Sequence, residues 1–230
     1  MSIGKRLVAA ESKIDKKKSY SLPEAVAIVK AGATAKFDET VELHFNLGID
    51  PKMGDQQIRG TLVLPHGSGK TKKVIAFVDA ANVDAAKAAG ADIIGTEEMI
   101  EAIAKTGKID FDVAVAMPMM MAKLAKAAKV LGPRGLMPNP KTDTVGPNIA
   151  KIIQEQKAGK LSFKNDATGN VHMIIGKASF EATKLEDNLT MAVEAIKKSK
   201  PSSSKGIFIK SATLTSTMGP AVKLDTGAAV

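Results

Sequence analysis

The sequence predicts a two-domain protein: both chain ends build one α+β domain, and the middle forms an inserted α/β three-layer, Rossmann-like domain. Strands near each end alternate apolar and polar residues, which is typical of a sheet with one solvated face. Strands in the middle are apolar throughout and alternate with helices, which is typical of a parallel sheet covered on both faces. Each end alone has too few elements for a stable core, so the ends are expected to join.

The N-terminal segment predicts two helices followed by two strands. A first helix is expected in residues 5 to 15, and a second between Ser21 and Gly32, where the serine has helix-capping spacing. Thr40 to Leu47 alternates strictly between apolar and polar residues and predicts a half-buried strand. Ile58 to Leu64 is interpreted as the strand that pairs with it.

The middle segment predicts three buried strands, each followed by a helix. Apolar runs mark the strands, and alanine-rich or capped amphipathic stretches mark the helices. The expected strands are Val74 to Val78, Ile93 to Ile94 and Asp112 to Met117, and the expected helices are Asn82 to Ala89, a Thr96-capped helix, Ala122 to Lys129 and Asn148 to Lys157.

In the C-terminal segment the strands again alternate apolar and polar residues. Leu161 to Lys164 and Val171 to Ile175 are interpreted as a hairpin with its turn at Asp166 to Gly169. Ala182 to Lys198 predicts a long amphipathic helix. A final strand is expected over Ile207 to Thr215, with its two isoleucines on one face.

The predicted boundaries place residues 1–67 and 160–230 in the discontinuous α+β domain and residues 68–159 in the inserted domain. Glycines at both junctions suggest a hinge made of Gly67, Ser68, Gly69 and Gly159. The segment GSGKT at 67–71 is not interpreted as a phosphate-binding loop, because a strand rather than a helix is expected after it.

Composition favours a polyanion as partner. Lysine and arginine number 33 against 24 acidic residues, which gives a formal net charge of +9. Such an excess attracts phosphates, although a merely soluble basic protein is the alternative. Seven Phe, one Tyr and no Trp argue against a base-stacking platform. The chain has no cysteine, which excludes disulfides and thiolate chemistry.

Residues 131 to 147, LGPRGLMPNPKTDTVGP, predict a long ordered loop. Three glycines and four prolines in this stretch exclude a helix or a central strand. Leu131, Leu136, Met137 and Val145 supply apolar anchors against disorder. Loops of this length inside a compact domain are usually functional.

Three stretches resemble the family of large-subunit ribosomal protein one, found in the mobile ribosomal stalk beside the transfer-RNA exit site. They are LGPRGLMPNP at 131–140, KFDETVELHFNLGID at 36–50 and TSTMGP at 215–220. The resemblance runs nearly end to end and implies the same two-domain plan, with the termini together in one domain. It also implies that one face of the terminal domain binds ribosomal RNA.

The candidate RNA surface comes from both chain ends. Hydroxyl side chains recur at every second residue along the last strand, a pattern that suits contacts to 2′-hydroxyls and phosphates but equally suits a solvated strand. The strand pattern places Glu42, Thr213 and Thr215 on this surface. The resemblance implies contacts at Lys36, Phe37, Thr40, Ser211, Thr217, Met218 and Gly219, and further contacts at Lys164, Asp166, Thr168 and His172. A second, weaker RNA surface is expected at Arg134 and Lys141 in the proline-rich loop.

The resemblance implies a structural constituent of the large ribosomal subunit that binds 23S rRNA, assists release of deacylated tRNA from the exit site, and represses its own operon mRNA. No enzymatic activity, cofactor, metal site or membrane association is expected. The protein is expected on the ribosome in the cytoplasm, and it is expected to be a monomer when free. The rival hypotheses are an enzyme acting on a phosphorylated small molecule and a nonspecific RNA chaperone.

Overall fold

The computed structural model describes residues 5–79, 82–204, 206–225 and 227, and it divides into two compact units. Unit 1 is Met1–Gly69 with Leu161–Val230, and unit 2 is Lys70–Lys160. The predicted mixture of helices and sheets is confirmed. None of the helices in the described ranges is long and apolar enough to cross a membrane.

Both units combine α-helices with β-strands. Short 3-10 turns occur at Pro118–Met120, Ala125–Ala127 and Pro140–Thr142. In chain order the elements are α1 (Lys5–Glu11), α2 (Leu22–Gly32), β1 (Thr40–Leu47), β2 (Arg59–Val63), β3 (Val74–Phe77), α3 (Val83–Ala88), β4 (Ile93–Gly95), α4 (Glu97–Thr106), β5 (Val113–Ala116), α5 (Met121–Leu124), α6 (Ala128–Leu131), α7 (Ile149–Lys157), β6 (Lys160–Lys164), β7 (Asn170–Lys177), α8 (Ala182–Lys198), β8 (Ile209–Ser216) and β9 (Val222–Lys223).

Unit 1 is built on an antiparallel sheet with strand order β7-β1-β8-β9. Along β1, the apolar residues Val41, Leu43 and Phe45 are buried, and the polar residues between them lie on the other face. Helices α2 and α8 pack onto the apolar face through residues such as Val29 and Leu189. This burial removes apolar side chains from water and leaves the outer face open to a partner.

Two predicted strand pairings in unit 1 are wrong. Ile58 to Leu64 does not pair with β1, because β7 and β8 occupy both edges of that strand, and β2 instead pairs with β6. The ladder expected between β6 and β7 is also absent, because β6 pairs with β2; one antiparallel bridge, Asn165 to Val171, joins the two strands at the predicted turn. A period of two identifies which face of a strand is buried but carries no information about its partner.

The predicted start of the last strand is also wrong. The side chain of Ile207 is 59% exposed, while the neighbouring Phe208 and Ile209 are both buried. The pairing register between β1 and β8 shifts at Asn46/Leu47, and Gly48 N–H donates to Phe208 O at 2.7 Å. This irregularity interrupts the alternation, so the two isoleucines do not share a face.

Unit 2 contains a three-stranded parallel sheet in the order β4-β3-β5, as the middle segment predicted. All four residues of β3 are buried, and they alternate between two apolar clusters. Ile75 and Phe77 pack with α4, α5 and α6, whereas Val74 and Ala76 pack with α3 and α7. Helices therefore cover both faces of the sheet.

The proline-rich stretch after α6 is an ordered loop. Leu131 is buried, and Leu136 and Met137 pack against the same cluster. Asn139 organises the loop, because its backbone N–H donates to Thr144 Oγ1 at 2.8 Å and its Oδ1 accepts the backbone N–H of Lys141 at 2.8 Å. Apolar anchoring and local hydrogen bonds thus replace regular structure here.

Candidate nucleic-acid interface

The outer face of the four-stranded sheet presents side chains in rows that cross β7, β1 and β8. In the middle row, the strand register sets His172, His44 and Thr213 side by side. The rows on either side are Asn170, Asn46 and Ser211, and Ile174, Glu42 and Thr215. The rows form because residues two apart along a strand point to the same face.

Hydrogen bonds fix the β7–β1 part of this face and leave the β8 part open. Asn46 Nδ2 donates to Asn170 Oδ1 at 2.8 Å, and the Nδ1 atoms of His44 and His172 lie 2.8 Å apart. The hydroxyls of Ser211 and Thr213 make no hydrogen bond within the described residues. The hydroxyls of Ser211 and Thr213 are therefore available to a ligand as both donors and acceptors.

The two histidines form one coupled group at the centre of the face. Because their facing nitrogens are within hydrogen-bond distance, one must donate and the other accept. Burial lowers the pKa of His44 from its ordinary value, His172 adds to that effect, and Glu42 opposes it. His44 is consequently neutral at pH 7, which suits recognition by shape and hydrogen bonding better than phosphate neutralisation.

Asp166 organises the loop that leads into β7. Its Oδ1 accepts the backbone N–H groups of Asn170 and Thr168 at 2.7 and 2.8 Å, and the Thr168 hydroxyl donates to both carboxylate oxygens. These hydrogen bonds, led by the one from Asn170, hold the pKa of Asp166 far below its usual value. Asp166 and Thr168 therefore have internal partners, and their side of the interface is rigid before any ligand arrives.

One end of the sheet carries two exposed apolar side chains beside a lysine. Phe37, in the segment before β1, is 54% exposed, and Met218, in the turn after β8, is 52% exposed. Lys36 is exposed next to Phe37. Antiparallel pairing brings the start of β1 to the end of β8. The segments are joined because Thr217 N–H donates to Thr40 O at 3.0 Å.

A buried carboxylate lies beneath this exposed end. Glu39 is 1% exposed, and its oxygens accept hydrogen bonds from Ser216 Oγ at 2.7 Å, Ala35 N at 2.9 Å and Met218 N at 3.0 Å. Burial acts to raise the pKa of Glu39, but the hydrogen bonds and the charge of Arg6 together leave it below its usual value. The carboxylate is ionised at neutral pH.

Every RNA contact predicted for the α+β domain lies in unit 1. The side chains differ in whether they already have hydrogen-bond partners within the protein. Lys36, Phe37, Met218, Ser211 and Thr213 present free groups on or beside the sheet. Several of the other hydroxyls have protein partners, since Thr215 Oγ1 lies 3.1 to 3.4 Å from three backbone oxygens and Thr217 Oγ1 accepts the Thr40 N–H at 2.9 Å. Lys164 lies on β6, which belongs to the two-stranded sheet.

Sequence reasoning missed four residues that shape the face: Glu39, Asn46, Asn170 and Lys177. Asn46 was visible as an outward position of an alternating strand, whereas Asn170 lay just outside the predicted strand Val171 to Ile175. Their mutual contact depends on the β1–β7 register. Lys177 Nζ donates to Thr40 Oγ1 at 3.0 Å and to Asp38 O at 3.1 Å, a contact between distant segments. No local sequence signal predicts such tertiary contacts.

The remaining predicted residues belong to unit 2 and to the two junctions between the units. In unit 2, Arg134 and Lys141 are exposed in the ordered loop. Gly67 and Gly69 adopt positive φ angles of 67° and 75°, and Ser68 between them is buried in unit 1. Gly159, with φ of 100°, follows α7.

No group of three or more metal-ligating side chains occurs within the described ranges. The family model described as "Ribosomal protein L1p/L10e family" matches residues 29–220. The chain belongs to that family. The match confirms the resemblance that the three sequence motifs indicated, and membership in the ribosomal protein L1p/L10e family confirms that the chain is a ribosomal protein and not an enzyme.

Relatives within the ribosomal protein L1p/L10e family match the chain over nearly its whole length. Large ribosomal subunit protein uL1 of Deinococcus radiodurans is 53% identical over 227 residues, covering 98% of this chain and 97% of the relative. The uL1 proteins of Streptomyces griseus and Methylobacillus flagellatus are each 50% identical, covering 98% and 97% of this chain and 93% and 97% of the relatives. These relatives are proteins of the large ribosomal subunit, and the expected location on the ribosome is thereby confirmed.

Proposed function

We propose that the chain is a structural constituent of the large ribosomal subunit that binds 23S rRNA of the mobile stalk through the outer face and exposed end of the unit 1 sheet. The observation that carries this proposal is that Phe37 and Met218, both more than half exposed, lie at one end of the sheet whose strand β8 carries the free hydroxyls of Ser211 and Thr213 further along. Exposed apolar side chains that form a contiguous patch rimmed by polar residues mark binding sites.

The chemistry of this surface suits a folded RNA. Phe37 and Met218 can pack against a ribose or an unstacked base, while Ser211 and Thr213 can exchange hydrogen bonds with 2′-hydroxyls. The Asp166 loop and the Asn46–Asn170 contact keep the face preformed, so little ordering entropy is lost on binding. The net charge of +9 adds a sequence-independent attraction to phosphates.

We further propose separate roles for the two units, with the discontinuous unit as the RNA-binding domain and unit 2 as the inserted domain. Arg134 and Lys141 would give unit 2 a second, weaker RNA surface. Gly67, Ser68, Gly69 and Gly159 would serve as the hinge that lets the domains move while deacylated tRNA leaves the exit site. The same unit 1 surface would bind the operon mRNA and repress its translation.

The test compares two exposed methionines. Met218→Ala should weaken binding to a folded 23S stalk fragment about tenfold, because loss of a packed contact of this kind costs about 1–2 kcal/mol. Met53→Ala is the matched control, since Met53 is also 52% exposed but lies in the β1–β2 loop. Filter binding or fluorescence anisotropy across a salt series measures both affinities.

The operon mRNA leader should compete with the stalk fragment for wild-type protein, whereas random RNA of equal length should not. Equal affinity for random and stalk RNA would favour the chaperone hypothesis. Equal weakening by Met218→Ala and Met53→Ala would contradict the proposed surface.

A further inference from the structure

We propose that Glu39 is a positioning residue for RNA recognition, whose buried carboxylate ties the segment before β1 to the turn after β8 and so fixes Phe37 and Met218 as one contact surface. This inference rests on the proposed function. It concerns a buried residue that lies within the 36–50 motif but was not among the predicted RNA contacts.

The carboxylate joins two segments that are far apart in the chain. One donor, the Ala35 N–H, belongs to the segment that carries Phe37, and two donors, Ser216 Oγ–H and Met218 N–H, belong to the turn that carries Met218. The Glu39 carbonyl also accepts the backbone N–H of Ala178 at 2.8 Å. Three donors fill most of the acceptor capacity of a carboxylate, so the group is satisfied without a ligand.

A negative charge at Glu39 is unfavourable for an RNA-binding surface, which suggests that the carboxylate is there to join the two segments. A carboxylate close to a polyanion repels it, and a buried carboxylate loses hydration. The hydrogen bonds outweigh the effect of burial on the pKa, so the charge is retained at neutral pH. Hydrogen bonds to an ionised acceptor are about twice as strong as neutral ones, which makes the connection rigid.

Gly219 packs closely against Ser216, the residue whose hydroxyl donates to Glu39. A Cβ at Gly219 would lie 2.4 Å from Ser216 Oγ, the hydroxyl that donates to Glu39. The Gly219 N–H donates to Ser216 O at 3.0 Å. Glycine is therefore required at this position by the packing of the turn, independently of any direct contact with RNA.

The closing experiment measures the affinity of full-length Glu39→Gln for the folded stalk fragment. In the variant the amide NH₂ faces one of the three N–H or O–H donors, so the two segments separate and affinity should fall about tenfold. Simple removal of a negative charge predicts the opposite, tighter binding. Glu181→Gln is the matched control, because Glu181 is an exposed carboxylate of the same unit and pairs with Lys184.

A second readout does not involve RNA. In ¹H–¹⁵N spectra at pH 7, the amide signals of Ala35 and Met218 should both shift in Glu39→Gln. Both signals should stay at their wild-type positions in Glu181→Gln. A merely destabilised protein would lose signal uniformly. Unchanged or tighter RNA binding by folded Glu39→Gln, or unshifted amide signals, overturns the inference.

The two proposals fail in different ways. If wild-type protein does not bind the stalk fragment, the proposed function is wrong, and the amide signals still decide whether Glu39 joins the segments. If Glu39→Gln does not fold, Ser216→Ala replaces it, because that variant removes one donor and leaves the carboxylate with two N–H partners. It should bind about threefold more weakly, and wild-type affinity would contradict the inference.

Discussion

His44 combines burial, a histidine partner and a carboxylate neighbour, which together make its protonation state a measurable property of the folded sheet. The groups around it are His172 on β7, Glu42 on β1, Asp166 before β7, Thr213 on β8 and Lys223 on β9. Burial is the largest influence on its pKa, and it favours the neutral imidazole.

Folding stability should therefore fall as the pH is lowered through about 6.5, where the unfolded chain takes up a proton at His44 that the folded chain does not. The loss continues until the pH drops below the pKa of His44 in the folded protein. Urea unfolding between pH 7.5 and 5.0 should show a weaker pH dependence for His44→Asn than for wild type.

His66→Asn is the matched control, because His66 is a partly exposed histidine that pairs with Asp187 elsewhere in unit 1. It should retain the part of the pH dependence that His44 causes. An unaltered pH profile in His44→Asn would show that the imidazole pair does not disfavour protonation.

Individual outward residues were predictable wherever a strand pattern was regular. The positions of Ser211, Thr213 and Glu42 follow from a period of two that local sequence displays. Glu39 was not predictable, because a charged residue just before a strand is expected at the surface. Its burial depends on three donors that only the folded chain brings together.

At the scale of elements, Gly48 marks the point where β1 ends and its pairing with β8 becomes irregular. A Cβ there would lie 2.1 Å from the backbone oxygen of Ile207. Gly48→Ala should destabilise the protein by about 2 kcal/mol, because backbone rather than a flexible side chain must move. Urea or thermal unfolding measures the loss.

Gly54→Ala provides the comparison, since a Cβ at Gly54 meets nothing within 4 Å. It should leave the unfolding midpoint nearly unchanged. Equal stability of the two variants would mean that the β1–β8 junction relaxes without cost.

Element type was more predictable than element pairing. The buried strands of unit 2 were recognisable from continuous apolar runs, and their parallel order followed from the intervening helices. The partner of β2 could not be recognised, because β6 lies about a hundred residues away along the chain and its short sequence carries no register signal.

At the scale of the whole molecule, unit 1 is expected to fold and bind the stalk RNA without unit 2. Lys72 Nζ donates to Lys160 O at 2.6 Å, so the chain enters and leaves unit 2 at neighbouring points. A variant in which a short Gly-Ser linker replaces residues 70–160 should therefore close without strain, and it should lose no more than about tenfold in affinity.

Circular dichroism and stalk-fragment binding measure the outcome for this variant. Arg134→Ala with Lys141→Ala in the full-length chain is the companion measurement, because it removes the proposed second RNA surface while keeping unit 2 intact. A folded linker variant that ignores stalk RNA would contradict the assignment of RNA binding to unit 1.

The central position of β1 has a consequence for how the chain is made. Its two neighbours, β7 and β8, are synthesised long after it, at residues 170–177 and 209–216. At about 5–20 residues per second, β1 leaves the ribosome on the order of ten seconds before either neighbour, a period in which its apolar face has no native cover. The nascent N-terminal segment is thus a natural client for chaperones.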